Sequence, residues 1–375
     1  MTRAALSDFC EFTQGGKHGL SGKHFVADGV PAYGAGGLNG FLAEPEFDKD
    51  AVILSAIGAR CGKCFLATGQ WASLANTQVI FPDPARADVR FLWYQLNDEG
   101  RWPRHGLAQP FIRPSDVKSH EVFLPPLDEQ RRIAAILDKA DALRAKRKRA
   151  IALLDSLTQS IFLEMFGDLI RNDRGFPLGP LSSWISDFES GKNLAPEAHD
   201  DDPGRLRVLK VSAVTSGTFE PKESKPLPGG YIPPEKHFVK TGDLLFSRAN
   251  TAELIGATAL VTQHVSGLVL PDKLWRFAWK KDEKPNPTFM HALFSSAVFR
   301  DAISKRATGT SGSMKNISKE KVLSLETGRP DRSLQDLFAQ RAHQIMLSLT
   351  ASTFQYSRLD LIFSSLQHRA FSGQL

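Results

Sequence analysis

Only three cysteines, Cys10, Cys61 and Cys64, occur in 375 residues. They are too few to staple a chain of this size. Cys61 and Cys64 form one CxxC without a second pair, whereas structural zinc usually takes four ligands, so a turn carrying two small residues is expected there and zinc or redox chemistry is the rival. No run approaches the ~18 uninterrupted apolar residues that cross a bilayer, and no charged start leads into an apolar core of the signal-peptide kind. The expectation is a soluble protein of the reducing cytoplasm with no membrane partner. Chemistry-bearing motifs are scarce too. The loop from Gly58 to Cys64 imitates a phosphate loop, but it has one residue too few between its glycines and Cys64 where Ser or Thr should bind magnesium. No strand-borne glycine-rich cofactor loop is found. Pro125-Pro126 and Pro233-Pro234 lack the acidic or amide residue that a methyl-transferring Asn/Asp-Pro-Pro-aromatic motif requires. Asp272, Asp282 and Lys284 imitate the spacing of a metal nuclease's acidic cluster, yet Pro285 argues for a loop where such a cluster needs a strand. No catalytic residue, metal site or cofactor is therefore expected on the chain itself.

What is present is a globular composition, 42% apolar and 23% charged. The length suggests two domains at roughly 100–200 residues each. A net charge of +6 permits a polyanionic partner without demanding one. The basic excess sits in residues 169–329, with 23 Lys and Arg against 18 Asp and Glu; residues 1–125 carry 12 against 13. Any polyanion contact in the first block needs a local basic face.

An internal repeat organises the chain. Residues 128–166 and 333–371 align without a gap at an offset of 205, pairing Gln130 with Gln335, Ile133 with Phe338, Asp155 with Asp360 and Phe166 with Phe371. Neither segment contains Pro or Gly, so both read as helices. Alternating steps of four and three pick out Ile133, Leu137, Ala140, Arg144, Arg147, Ile151, Leu154, Thr158, Ile161 and Met165 in the first. The second gives Phe338, Ala342, Ile345, Leu349, Ser352, Tyr356, Leu359, Phe363, Leu366 and Ala370. Both are the 3.5-residue seam of a coiled coil. A helix of about 39 residues is roughly 58 Å long, enough to act as a ruler. The basic run Arg144 to Arg149 faces either a polyanion or solvent. Ahead of the helices, Leu6, Gly16 and Lys17 match Leu181, Gly191 and Lys192 at an offset of 175, while Ile112 and Val117 match Ile317 and Val322 at 205. The second copy therefore carries a net 30 extra residues. Strands are expected near Ala51–Ile57, Gln78–Phe81, Leu206–Val211, Asp243–Phe246 and Ala257–Val261, and helices near Phe91–Asn97 and Pro287–Ser304. The class is α+β.

The stretch from Leu124 to Asp141, Leu-Pro-Pro-Leu-Asp-Glu-Gln-Arg-Arg-Ile-Ala-Ala-Ile-Leu-Asp-Lys-Ala-Asp, closely resembles the conserved-region helix of type I restriction-modification specificity subunits. The domain–helix–domain–helix order resembles the same family over essentially the whole chain, as do the loops Ile57 to Lys63 and Ser247 to Asn250. The match departs ahead of the second helix, where the Pro-Pro-Leu pattern has become Gly328-Arg329-Pro330-Asp331.

The resemblance implies target recognition domains over residues 1–125 and 169–329, followed by spacer helices over 126–168 and 330–375 that pair as an antiparallel coiled coil about a pseudo-twofold axis. Each domain would read one half of a split double-stranded DNA target. Modification (methyltransferase) subunits would dock around the helices, with Gln130, Arg131, Ile133, Gln335 and Phe338 as candidate contacts, and bring S-adenosylmethionine. Restriction (motor-nuclease) subunits would bring ATP and magnesium. Two rivals stay open, a stand-alone metal-dependent nuclease and a coiled-coil scaffold with no DNA role.

Reading base edges takes Arg or Lys for guanine and Asn or Gln for adenine on exposed loops, while Lys, Ser, Thr and backbone amides hold phosphates. The candidates are Lys17, Arg60, Lys63, Asn76, Gln78, Arg104, His105 and Gln109 in the first block. In the second they are Lys192, Lys210, Arg248, Asn250, Lys273, Thr310, Ser313, Lys315 and Asn316.

Overall fold

Both seam-bearing segments are uninterrupted helices of 40 residues, Leu127–Phe166 and Arg332–Phe371, each starting one residue earlier than its periodicity indicates. The first stops at Gly167, whose φ of +66° lies in the left-handed region that glycine adopts without strain. All twenty seam positions are buried or half-buried, the polar Arg144, Arg147, Thr158 and Ser352 included. The computed structural model describes residues 3–16, 19, 21–106, 108–194, 206–228, 230–309 and 314–375. They form two compact units, Met1–Arg149 with Ser352–Leu375, and Ala150–Ala351, so each long helix contributes to both.

In the first unit an antiparallel sheet runs in the order β1 (Cys10–Gln14), β4 (Thr77–Pro82), β2 (Ala51–Ser55), β3 (Cys64–Ala67). All five residues of β2 are buried because the sheet is covered on both faces. Alternation decides which face each serves. Val52, Leu54 and Ile80 pack against Leu92 and Leu96 of helix α1 (Val89–Leu96), whereas Ala51, Ile53 and Val79 pack against Trp71 and Phe81. A second sheet carries Gly37–Leu42, Val30–Gly34, Gln70–Ser73 and Phe47–Asp48 in that order, its central pair parallel. Phe91 and Tyr94 of α1 bury against Ile133 and Leu137 of the first long helix and Phe363 and Phe371 of the second. Arg132 donates to the Leu375 carbonyl while Arg144 pairs with Asp360, so the two helices run antiparallel in this unit.

The second unit repeats the plan. Its antiparallel sheet is ordered β5 (Ile185–Ser190), β8 (Leu274–Trp279), β6 (Leu244–Ser247), β7 (Thr258–Leu260). A smaller sheet again has one parallel pair, Arg207–Leu209 beside Leu268–Val269. Helix α2 (Pro287–Ser295) sends Phe289 into a fully buried aromatic cluster with Phe162 and Phe166 of the first long helix and Phe338 of the second. Ring centroids there are 5.0–5.7 Å apart. Burying each ring stabilises by about 1.5–3 kcal/mol, which suits a junction of three helices.

The offset between copies grows from 175 at Arg3–Ala5 and Leu178–Pro180, through 192 at the ends of β2 and β6 and 198 at Asp88 and Asn286, to 205 at the long helices. The extra residues are thus spread over several connections, one of which holds an added helix, Ala297–Arg306. The single helix expected over Pro287–Ser304 is instead two. The break is Ser296 (φ −65°, ψ 141°), whose hydroxyl donates to the Leu293 carbonyl and competes with helix propagation.

Candidate nucleic-acid interface

In the first unit, strand ends bring the candidate loops to one end of the β1–β4 sheet. Where β2 stops, the Ala56 N–H donates to the Asn76 carbonyl and its own carbonyl accepts from Ile112, both at 2.9 Å. Two residues on, Gly58 N–H donates to Pro110, and Ile57 bridges Phe111, which itself bridges His105. Gly15, at the end of β1, donates to Thr77 at the start of β4. Arg60, Asn76, Arg104, His105 and Gln109 are therefore neighbours through their backbones, and Lys63 leads back into β3. Asn76 is exposed with φ +69°, a conformation that Asn tolerates better than most side chains.

The second unit builds the same arrangement from different residues. Ile317 donates to the Arg248 carbonyl and Arg248 to the Lys273 carbonyl, both at 3.1 Å. Asn250 pairs with Lys315, Asn316 bridges Thr308, and Lys192 bridges Pro271. Ile57 with Phe111 in one unit and Ala249 with Asn316 in the other hold equivalent places in this plan. Lys192, Arg248, Asn250, Lys273, Lys315 and Asn316 share one sheet end. Lys210 does not, since it ends a strand of the smaller sheet and faces Glu223 at 3.8 Å. Lys17, Thr310 and Ser313 lie outside the described residues.

Several candidates have internal work that exposed loops would not give them. Gln78 is not on a loop; it is buried in β4 and its amide donates to the Ile112 carbonyl at 3.0 Å. The Arg60 guanidinium donates to the Gly36 carbonyl at 2.8 Å. Arg248 is half-buried, its Nε donating to the Asp272 carbonyl at 2.8 Å and its Nη2 3.5 Å from the Asp272 carboxylate. Arg104 faces Glu99 at 3.3 Å, His105 faces Asp116 at 2.8 Å, and the Asn250 amide bonds Thr251 and Ser247. Asn76, Gln109, Lys192 and Asn316 are exposed, as are Arg60 and Arg104. Lys192 adds to a positive environment: buried His237 is held below the usual histidine range first by burial and then by Lys236, Lys192 and Arg276.

Four of the five candidate docking residues are turned inward. Ile133 and Phe338 are core side chains. The Gln130 Oε1 accepts from Asp88 N–H at 2.9 Å, and its Nε2 donates to the Arg86 and Pro125 carbonyls at 3.0 and 2.8 Å. Gln335 Oε1 accepts from Asn286 N–H at 2.8 Å and its Nε2 donates to Pro330 at 2.9 Å. Only Arg131 is exposed. Pro330 stands where Pro125 does, so the connection survives where the Pro-Pro-Leu pattern does not.

Cys61 and Cys64 are buried free thiols that donate to the Ala56 and Leu96 carbonyls, at 3.4 and 3.3 Å, and burial pushes both above the usual thiol range. Asp272 precedes β8 and Asp282 follows it, so roughly 20 Å of strand separates the two carboxylates of the nuclease rival. No group of three metal-ligating residues is found among the described residues. No helix among them is long and apolar enough to cross a membrane.

Residues 2–153 match the type I restriction modification DNA specificity domain. The EcoKI type I specificity subunit of Escherichia coli K12 is 27% identical over 283 residues, 70% of this chain and 60% of that protein. Over these spans the chain is similar to the type I restriction-modification specificity family. A further relative, the MjaVIII specificity subunit of Methanocaldococcus jannaschii, is 23% identical over 70% of this chain and 65% of its own. The alignments thus span under two thirds of each of these two specificity-family relatives. The crystal structure of a type I restriction-modification S subunit from M. genitalium has the same fold, with a TM-score of 0.62 at 15% identity over 99% of this chain and 96% of that one. A second solved chain, from a study of type I R-M complex assembly and conformational transition, gives 0.58 at 14% identity over 100% and 98%.

Sequence reasoning missed one element of the site, the hairpin of Val30–Gly34 and Gly37–Leu42 whose tip Arg60 touches. Its signal was legible as Gly34-Ala35-Gly36-Gly37 between strand-forming residues, a two-residue turn pattern. It also missed Asp88 and Asn286, which cap α1 and α2 and meet the two glutamines.

Proposed function

We propose that this chain is the DNA sequence-specificity subunit of a type I restriction-modification complex and performs no chemistry alone. Each unit reads one half of a split double-stranded target with the loops at its sheet end. The long helices fix the separation of the halves; at ~1.5 Å per residue they reach about 60 Å, which caps the unread gap at about 18 base pairs. Modification subunits supply S-adenosylmethionine and methylate adenine. Restriction subunits supply ATP-driven motion and cleavage with magnesium.

The observation that carries this reading is the duplication of one loop arrangement, with different side chains on it. A scaffold needs the helices but has no use for two such surfaces. Divergent side chains on a shared frame are what two different half-sites require. The names of the relatives, all type I specificity subunits, support the same reading.

A salt titration tests it. The full chain should bind duplex DNA with an affinity that falls steeply and linearly in log–log form as salt rises, because phosphate contacts release counterions. Flat or absent binding, alone and with modification subunits, returns the scaffold; magnesium-dependent cutting by the purified chain returns the nuclease.

A further inference from the structure

The hairpin tip Gly34–Gly40 reaches the same end of the first unit as the candidate loops. Strand Val30–Gly34 runs parallel to Gln70–Ser73, with Tyr33 beside Ser73, and Leu74 N–H donates to the Tyr33 carbonyl at 2.8 Å. The neighbouring strand leads straight into Asn76, so the tip and Asn76 emerge together. The tip's shape is held by glycine. Gly37 has φ +102°, and a Cβ there would sit 2.9 Å from the Phe65 ring; a Cβ on Gly40 would sit 2.6 Å from Phe25. Just past the turn, the outgoing strand presents Leu38, 54% exposed, and exposed Asn39, consecutive residues at a register shift, with the Asn39 amide beside Gly34 and Gly36. Arg60 meanwhile directs a charged donor at the Gly36 carbonyl of the turn. A lone exposed leucine is ordinary. One just past a glycine-shaped turn that a guanidinium braces from the adjacent candidate loop is a presented group.

Resting on the specificity reading above, we infer that this hairpin is a base-reading element of the first unit, with Leu38 and Asn39 as the reading pair and Arg60 as the residue that positions it. The chemistry fits an A·T pair in the major groove. An Asn amide matches adenine N6 and N7, and an aliphatic side chain packs on the thymine methyl. Arg60 acts through the turn and touches no phosphate. Among the described residues the smaller sheet of the second unit has no such tight hairpin, its antiparallel strands Arg207–Leu209 and Ser224–Pro226 lying 14 residues apart. The effect is therefore confined to one half-site.

The test uses the full chain in its complex. Adenine methylation is mapped in cells carrying the wild type, Leu38→Ala, Asn39→Ala, Arg60→Met or Arg60→Lys, and the purified complexes are titrated with salt on the mapped target. Leu38→Ala and Asn39→Ala should relax the motif in one half and leave the other half and the spacing intact. Uracil in place of thymine at the relaxed position should weaken wild-type binding roughly fourfold, the worth of one methyl, and leave Leu38→Ala unchanged. Arg60→Met should relax the same half-site with an unchanged salt slope, and Arg60→Lys should restore part of it. Both halves staying strict in the Leu38 and Asn39 variants overturns the reading role. A salt slope lower by about one in Arg60→Met makes Arg60 a phosphate contact and overturns its positioning role. An unsplit wild-type motif is a different failure, that of the specificity reading itself.

Discussion

Gln130 and Gln335, 205 residues apart, accept the same hydrogen bond from the N-cap residue of equivalent short helices, Asp88 in one copy and Asn286 in the other. Each also ties back to a proline carbonyl five residues upstream, Pro125 or Pro330. A buried amide that joins the start of a long helix to the start of its neighbour is a rivet at the root of each unit.

Removing a rivet leaves a buried N–H and at least one buried carbonyl without partners. Gln130→Ala and Gln335→Ala should each destabilise by roughly 2–4 kcal/mol, read as a lower midpoint in urea denaturation. Glutamate at either position keeps the acceptor but sets a buried carboxylate oxygen against the carbonyls that the amide N–H served, so at neutral pH it should cost at least as much as alanine. Unchanged denaturation with lost binding of modification subunits would restore a docking role to these residues.

Among the described residues the seam contains one cross-helix ion pair. Arg144 pairs with Asp360 and stacks on Phe363 at 4.2 Å, with its Nε buried and without a hydrogen-bond partner. The repeat places Leu349 opposite this role, so the pair is asymmetric and favours one pairing of the helices over its mirror. Both side chains are partly exposed, so a double-mutant cycle on Arg144→Met and Asp360→Asn should give a coupling of only about 1 kcal/mol. A coupling near zero removes the ion pair as a register device.

Much of this was legible in the sequence, and the misses share a cause. The seam positions are set by periodicity, which depends on side-chain type alone, and every one of them is shielded from solvent. The repeat of Gln130 in Gln335 was equally visible, but matching letters do not say whether an amide faces a partner or its own backbone. The same limit hid the buried donor that Gln78 carries on β4 and the carbonyl, 24 residues away, that Arg60 meets. Long-range contacts of single polar side chains leave no periodic trace.

Two histidines of the second unit should make it acid-sensitive. Burial holds His291 down to about 4, and burial with neighbouring cations lowers His237. A histidine depressed in the folded state takes up protons more readily when unfolded, so stability is complete above the ordinary histidine range near 6.5 and declines as pH falls toward 4. Thermal melting of the full chain between pH 7 and 4 should show this decline, and His291→Gln should flatten it. An identical pH profile in the variant contradicts the assignment.

Cys61 and Cys64 should behave as small core residues. A thiol reagent should label neither in the native chain, and chelator treatment should leave the melting temperature unchanged, since burial disfavours the thiolate that both alkylation and zinc binding require. Rapid labelling, or a chelator-induced drop in stability, would return metal or redox chemistry to the CxxC.

The most direct measurement is a genome-wide map of methylated adenine in cells that express the chain with its modification subunits. Two short, dissimilar sequences separated by a gap of constant length, with free choice of bases inside it, are the predicted result. A continuous motif, or a gap of variable length, would contradict two readers held apart by rigid helices.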